Sequence, residues 1–231
     1  MNRMLVLIVV FFSVSVSAQT VAPSSVVAIP VAASAQMSQA GKNLQQLLQP
    51  LRNLQGQFEQ KMFDDEGELL QQSSGNFSLQ QPGKFNWETL LPFEQSLISN
   101  GKKLWLYDPD LEQVTVKKVD ESLQQTPALI LTGNSELLAK NFRIEQAAIG
   151  EGSAHDGLPV QIFMLIPRAD DPVFERLELF FTNAILTTLK VHDSLGQLTH
   201  FKLLNVHTNI ELSADKFEFV IPVGTEIITD E

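Results

Sequence analysis

Apolar and polar positions follow three successive rhythms along the 231 residues. The first is unbroken: Leu5 to Phe12 are all apolar, with Arg3 before them and Val16-Ser17-Ala18 after them. A positive start, a short apolar run and small residues at a cleavage position are the parts of a secretory signal peptide, so residues 1–18 are expected to be removed. Ala33-Ser34-Ala35 offers a second, less favoured cleavage sequence. Residues 19–35 hold two prolines, many small residues and no charge. They read as a flexible leader to a single domain over 36–231.

The second rhythm is helical. Apolar residues at 37, 40, 44, 47, 48, 51 and 54 approximate one face of an amphipathic helix whose other face is rich in Gln. Pro50 lacks an amide donor and crowds the preceding turn, so it should end or kink this helix near Gln49.

After Gln55 the pattern turns to short strands separated by turn residues. Asn100-Gly101 predicts a two-residue hairpin turn with positive φ at both positions. Asp108-Pro109-Asp110 marks the next turn. A helical interlude is expected at about 126–140, with Pro127 in its first turn and Asn134-Ser135-Glu136 starting a second short helix. Strands resume at Phe142, with turns near Asn183 and Ser194 to Gly196. The links are too short for parallel crossovers, which predicts an antiparallel meander.

Several of these strands are apolar on both faces, as in Ile162 to Ile166 and in Leu177 to Phe181 with its single Glu178. Two readings follow. Either the sheet is covered by helices and by its own curl around a filled core, or it curls around a greasy interior that takes a ligand. Periodicity alone does not separate them.

Composition narrows the function. Fifteen Phe and 44% apolar residues suffice for a large core. A net charge of −11 and no basic stripe speak against nucleic acid as a partner. Zero Cys removes disulfides, thiolate metal sites, thiol nucleophiles and a lipid anchor through cysteine. No stretch beyond the signal peptide reaches the roughly 18 apolar residues of a spanning helix. A soluble, exported protein is expected.

Catalytic signatures fail one by one. No Gly-x-Ser-x-Gly elbow, His-Glu-x-x-His motif or phosphate-binding loop occurs. Asp108, Asp110 and Glu112 imitate the start of a calcium loop, but Gln113 and Val119 stand where Gly and Glu are needed. Asp64, Asp65, Glu66 and Glu68 crowd a turn at Gly67 and read as a solvated loop. His155 lies in a loop and His192 near a strand end. His200 and His207, seven residues apart, should fall on opposite faces of one strand. No catalytic residue, metal or cofactor is expected.

A linear series of motifs then carries a resemblance. The opening helix is followed by Phe58-Glu59-Gln60-Lys61, Gly75 and Pro82-Gly83-Lys84-Phe85-Asn86-Trp87. Ser99-Asn100-Gly101 leads to Leu104-Trp105-Leu106-Tyr107-Asp108-Pro109 and Glu112-Gln113-Val114. The Pro127 helix and Phe217-Glu218-Phe219 with Pro222 and Gly224 complete the order. In this series the chain resembles the outer-membrane lipoprotein carrier family, LolA.

The resemblance implies an α+β fold: a half-closed antiparallel β-barrel capped by an N-terminal helix and a short loop helix, with a hydrophobic interior for acyl chains. It implies that Leu44, Leu48, Leu51 and Leu54 form part of a lid, with Leu129 and Leu131 from the loop helix. Phe58, Phe77, Phe85 and Trp87 would lie on or near the concave sheet face. Relatives often carry Arg before the proline as a lid tether, whereas this chain has Gln81, which lacks the charge and the guanidinium fork. Ala128 is small where some relatives have an aromatic residue.

The implied function is that of a monomeric periplasmic chaperone without cofactor. It would accept lipoproteins from an inner-membrane ABC-type exporter, shield their acyl chains and deliver them to an outer-membrane receptor. A secreted envelope-acting hydrolase or transferase with an unrecognised site is the alternative from the residues alone. A plain β domain with a filled core is the third.

Overall fold

Ser38 starts the first element because its Oγ accepts a hydrogen bond from the Gly41 amide at 3.1 Å, satisfying one of the orphan donors of a helix start. Helix α1 (Gln39–Leu48) buries Leu44 and Leu48 and ends at Gln49, ahead of Pro50. The computed structural model describes residues 37–119, 138, 140–147, 154–155, 158–169, 172 and 174–229. The expected signal peptide, leader, Ala128, Leu129 and Leu131 lie outside the described residues. Of the expected helical interlude, Leu138 and Lys140 are described and are helical, as is Asn141 after them.

Leu51 and Leu54 correct the helical reading. The Leu51 amide donates to the Leu48 carbonyl at 3.1 Å in a tight turn, and the chain is extended from Asn53. Their spacing continues the helical rhythm past Pro50 only by coincidence. Both are nonetheless buried with Leu44 and Leu48, reaching the same core from the turn and from the first strand.

Among the described residues thirteen strands follow: β1 (Asn53–Phe63), β2 (Leu69–Gln80), β3 (Lys84–Leu91), β4 (Gln95–Asn100), β5 (Lys103–Asp108), β6 (Gln113–Lys118) and β7 (Phe142–Gln146). Then come β8 (Ala154–His155), β9 (Leu158–Pro167), β10 (Arg176–Thr182), β11 (Ile185–His192), β12 (Leu198–Thr208) and β13 (Glu226–Thr229). They form one sheet in the order β13-β6-β5-β4-β3-β2-β1-β12-β11-β10-β9-β7, with β8 added beside β9. Its two ends, β13 and β7, are unpaired with each other, so the sheet is open. It curls, because Phe85 and Leu104 from one half share a core with Ile144, Leu165 and Leu177 from the other.

The meander is antiparallel with one exception. β13 pairs parallel to β6, Ile227 beside Val114, after a long return of the chain. That return crosses the outer face of β3 to β6. Phe217 is buried there, the Phe219 ring lies 5.0 Å from that of Tyr107, and Ile98, Trp105 and Val114 form a second small core beneath. Asn86 Nδ2 donates to the Lys216 carbonyl at 3.0 Å and fixes the crossing.

Two turns differ from expectation. At Asn100-Gly101 only Gly101 has positive φ, at 86°. Asn100 instead turns the chain with its side chain, Oδ1 accepting from the amides of Lys102 and Lys103. Positive φ at both turn positions occurs at Asn183 and Ala184, between β10 and β11. A bulge in β12 at Asn205 (φ 50°) sets Leu204 and His207 opposite Gln57 and Gln55.

Candidate functional site

Register alone assembles the concave face. Reading across neighbouring strands, Leu54, Leu79, Phe85, Ser99 and Leu104 form one row. Gly56, Phe77, Trp87, Leu97 and Leu106 form the next, and Leu203, Phe58, Gly75, Thr89 and Gln95 the third. Alternate residues along a strand share a face, so each row projects from the same side.

Trp87 sits at the centre. Its ring stacks on Phe58 at a centroid distance of 4.2 Å and on Phe77 at 5.7 Å, with Phe201 edge-on at 5.7 Å. These spacings suit aromatic attraction beyond burial alone. Phe58 and Phe77 are fully buried, whereas Trp87 is only half-buried. Glycines make the room: a Cβ on Gly56 would lie 3.0 Å from Phe77 Cζ and 2.7 Å from the Leu204 carbonyl oxygen.

Helix α1 closes over this face, burying Leu44 and Leu48 in the same core. It is held to β7 by two side-chain hydrogen bonds, Ser38 Oγ to the Ile144 carbonyl (3.1 Å) and Asn43 Nδ2 to Gln146 Oε1 (2.7 Å). Its far end is fixed by Asn209. Oδ1 of Asn209 accepts from the Arg52 amide at 2.7 Å and Nδ2 donates to the Pro50 carbonyl at 2.9 Å. Hydrogen bonds therefore hold both the helix start and the turn that follows it.

Among the described residues, this apolar face is enclosed by a curled sheet and shares its core with one short helix. The model of the family described as outer membrane lipoprotein carrier protein LolA matches residues 49–220. The chain belongs to this family.

Outer-membrane lipoprotein carrier proteins are correspondingly similar along most of their length. That of Pseudomonas syringae pv. tomato is 41% identical over 187 residues, 81% of this chain and 86% of the relative. That of Chromohalobacter salexigens is 36% identical over 203 residues, 88% and 92% of the two chains. That of Pseudomonas aeruginosa strain UCBPP-PA14 is 39% identical over 198 residues, 86% and 91%.

Within this LolA-family fold, Leu44, Leu48, Leu51, Leu54, Phe58, Phe77 and Phe85 come together in one core, with Trp87 packed against it. Gln81 follows β2, half-buried, with its amide donating to the Arg52 carbonyl at 2.9 Å. Its side chain makes no hydrogen bond to another described residue. Residues from the second half complete the face: Phe163, Leu165, Leu177, Leu179, Phe181 and Leu189. The alternation of 163 with 165 and of 177, 179 and 181 was their signal, concealed by apolar residues on the opposite face.

The polar candidates fall elsewhere. Asp108 Oδ1 accepts from the Leu111 amide and Asp64 Oδ1 from those of Glu66 and Glu68, so both acidic groups organise turns. Among the described residues no three His, Asp or Glu are placed to hold a metal. His192 lies on the outer face, its Nε2 3.1 Å from Glu178 Oε1 and 3.1 Å from Arg176 Nη2. The β12 bulge reverses the expected parity of His200 and His207. They pair with Lys61 and Gln55 of β1, which share a face, but stand six β1 positions, roughly 20 Å, apart.

Proposed function

We propose that this chain is a periplasmic carrier that holds the acyl chains of lipoproteins against its concave apolar face. It receives them from an inner-membrane ABC-type exporter and delivers them to an outer-membrane receptor. It is a carrier and not an enzyme, as its family is. The observation that supports this most is the aromatic centre Phe58, Phe77 and Trp87 in one core with Leu44 and Leu48 of α1, a short helix hydrogen-bonded to β7 through Ser38 and Asn43.

Magnitudes give the mechanism. At about 0.8 kcal/mol per methylene, exposing one chain of about fifteen carbons to water costs on the order of 12 kcal/mol. The two hydrogen bonds from Ser38 and Asn43 to β7 contribute only about 2 kcal/mol to holding the lid. The larger part of closure is burial of Leu44 and Leu48, and an acyl chain can cover the same surface in their place. Opening against a bound chain therefore exchanges one apolar contact for another, while release into water does not. Cargo must pass from one hydrophobic site directly to the next.

Residues 1–18 act as the export signal in this reading, and the mature chain starts near Gln19 and is monomeric. Mass spectrometry of periplasmic material checks that start. The hand-over is tested by incubating purified loaded carrier with and without a membrane-anchored acceptor. Release is expected only with the acceptor, and equal release without it would overturn the mechanism.

A further inference from the structure

The concave face changes character toward one end. In the third row Phe58 and Gly75 are followed by Thr89 and Gln95, and beyond that row Gln60 pairs with Ser73. These four polar side chains are enclosed, with relative exposures of 5% for Gln60, 4% for Ser73, 3% for Thr89 and 9% for Gln95. None hydrogen-bonds through its side chain to another described residue, and Gln95 Oε1 is completely buried without a partner. Ser99, equally buried on the same face, shows the contrast: its Oγ donates to the Gly83 carbonyl and accepts from the Gly101 amide. Buried polar groups are ordinarily paired, so the unpaired Gln95 Oε1, in one corner with three further polar side chains, calls for a ligand.

We infer that this corner receives the carbonyl-bearing linkages at the head of bound acyl chains, the ester and amide groups of an acylated glyceryl lipopeptide. The inference rests on the carrier reading and adds a polar subsite to it. The hydroxyls of Ser73 and Thr89 and the amide groups of Gln60 and Gln95 donate to ester carbonyl oxygens. Gln95 Oε1 accepts the N–H of an acyl amide. The methylenes then run over Phe58, Trp87 and Phe77, which begin one residue row away. A free fatty acid fits poorly, because the four side chains of this corner carry no charge to pair a carboxylate. The corner thereby fixes how deep the chains enter, since only their carbonyl end finds partners here.

The probes are a synthetic tri-acylated lipopeptide and its analogue with both glyceryl esters replaced by ethers, with equal chain length. Their affinities for the full carrier are compared by competition against a fluorescent acyl probe. The ether analogue is expected to bind about tenfold more weakly, the loss from leaving buried donors unpaired. In Thr89→Val with Ser73→Ala, which leaves the amides of Gln60 and Gln95, the ester advantage, read as the ratio of the two affinities, is expected to fall to about threefold, and an unchanged tenfold ratio overturns the role of the two hydroxyls. A diester phospholipid competitor that shares the ester advantage assigns the corner to glyceryl esters of any source, and one that does not assigns it to the lipopeptide. Equal binding of ester and ether by the unaltered protein overturns the polar subsite and leaves the carrier intact. Binding of neither probe overturns the carrier reading itself. If the double variant fails to fold, Gln95→Leu alone, with its circular dichroism checked, carries the same comparison.

Discussion

Phe58 lies directly across the β1–β2 ladder from Gly75, and its ring occupies the space where a side chain at 75 would begin. A Cβ there would sit 2.9 Å from Phe58 Cε1 and 1.8 Å from the Glu88 carbonyl oxygen. The ring can shift, but the carbonyl belongs to the β3 backbone and cannot rotate away. Gly75→Ala is expected to lower the unfolding free energy by about 3 kcal/mol, near the upper end of overpacking costs, as read in urea melts. A loss under about 1 kcal/mol would show that the β2–β3 pair yields more easily than its packing suggests.

Trp87 and Leu179 should separate binding from stability. Leu179 is fully enclosed, so Leu179→Ala should cost about 2–5 kcal/mol of stability. Trp87 is half-buried, and Trp87→Asp should abolish acyl-probe binding at a smaller cost in stability. Both are checked by pairing denaturation curves with probe titration, and the reverse pattern would make Trp87 a packing residue.

Asn43→Ala removes the 2.7 Å bond from α1 to Gln146. The expected loss is about 1 kcal/mol of lid closure, seen as roughly fivefold faster hydrogen exchange over 39–48 and faster uptake of an acyl probe. Unchanged exchange would assign the fastening to leucine burial alone.

Gln81→Arg should act in the opposite direction. The backbone of Gln81 lies beside the α1–β1 junction, its amide bonded to the Arg52 carbonyl. A guanidinium there can reach several acceptors at once, so slower exchange in α1 and slower transfer to an acceptor are expected. Identical transfer by the two proteins would remove position 81 from lid control.

His200 sets a pH dependence. It pairs with Lys61 on β1 and Lys190 on β11. Burial, and then the charges of Lys190, Lys61 and Lys202, hold its imidazole below the ordinary value of 6.5. Above pH 6.5 the ring is neutral in both folded and unfolded chains, and this contribution to stability is complete. As pH falls below 6.5 the unfolded chain takes up a proton that the folded protein resists, so stability declines until folded His200 itself protonates. Thermal melts between pH 7.5 and 5 should show the decline, and His200→Gln should flatten it.

The sequence made the opening helix and the first half of the sheet legible because their apolar periods are clean. Leu44 and Leu48 repeat every four residues, and Phe77, Leu79, Phe85 and Trp87 alternate. Leu51 and Leu54 were misplaced because a proline break leaves the spacing of neighbouring apolar residues unchanged. The faces of His200 and His207 were misread because a one-residue bulge at Asn205 carries no periodic mark. The inward set of β9 and β10 was hidden by Ile162, Met164 and Phe180 on the other side, and only strand pairing selects between them. The polar corner was illegible for a different reason: Gln60, Ser73, Thr89 and Gln95 are far apart in sequence and read as ordinary surface residues until register brings them together.

The brevity of α1 has a consequence for how the carrier opens. Ten residues with no acidic group in the first turn and no basic group in the last do not sustain a helix in water, where about 12–15 are marginal. Its order is therefore borrowed from the core that holds Leu44 and Leu48, and if α1 acts as the lid we propose, it melts as it leaves that core. Opening is an order-to-disorder transition in which the freed segment gains conformational entropy, offsetting part of the lost burial. An arriving acyl chain then supplies a new apolar template on which the same segment can refold, so the cargo itself rebuilds the cover that shields it.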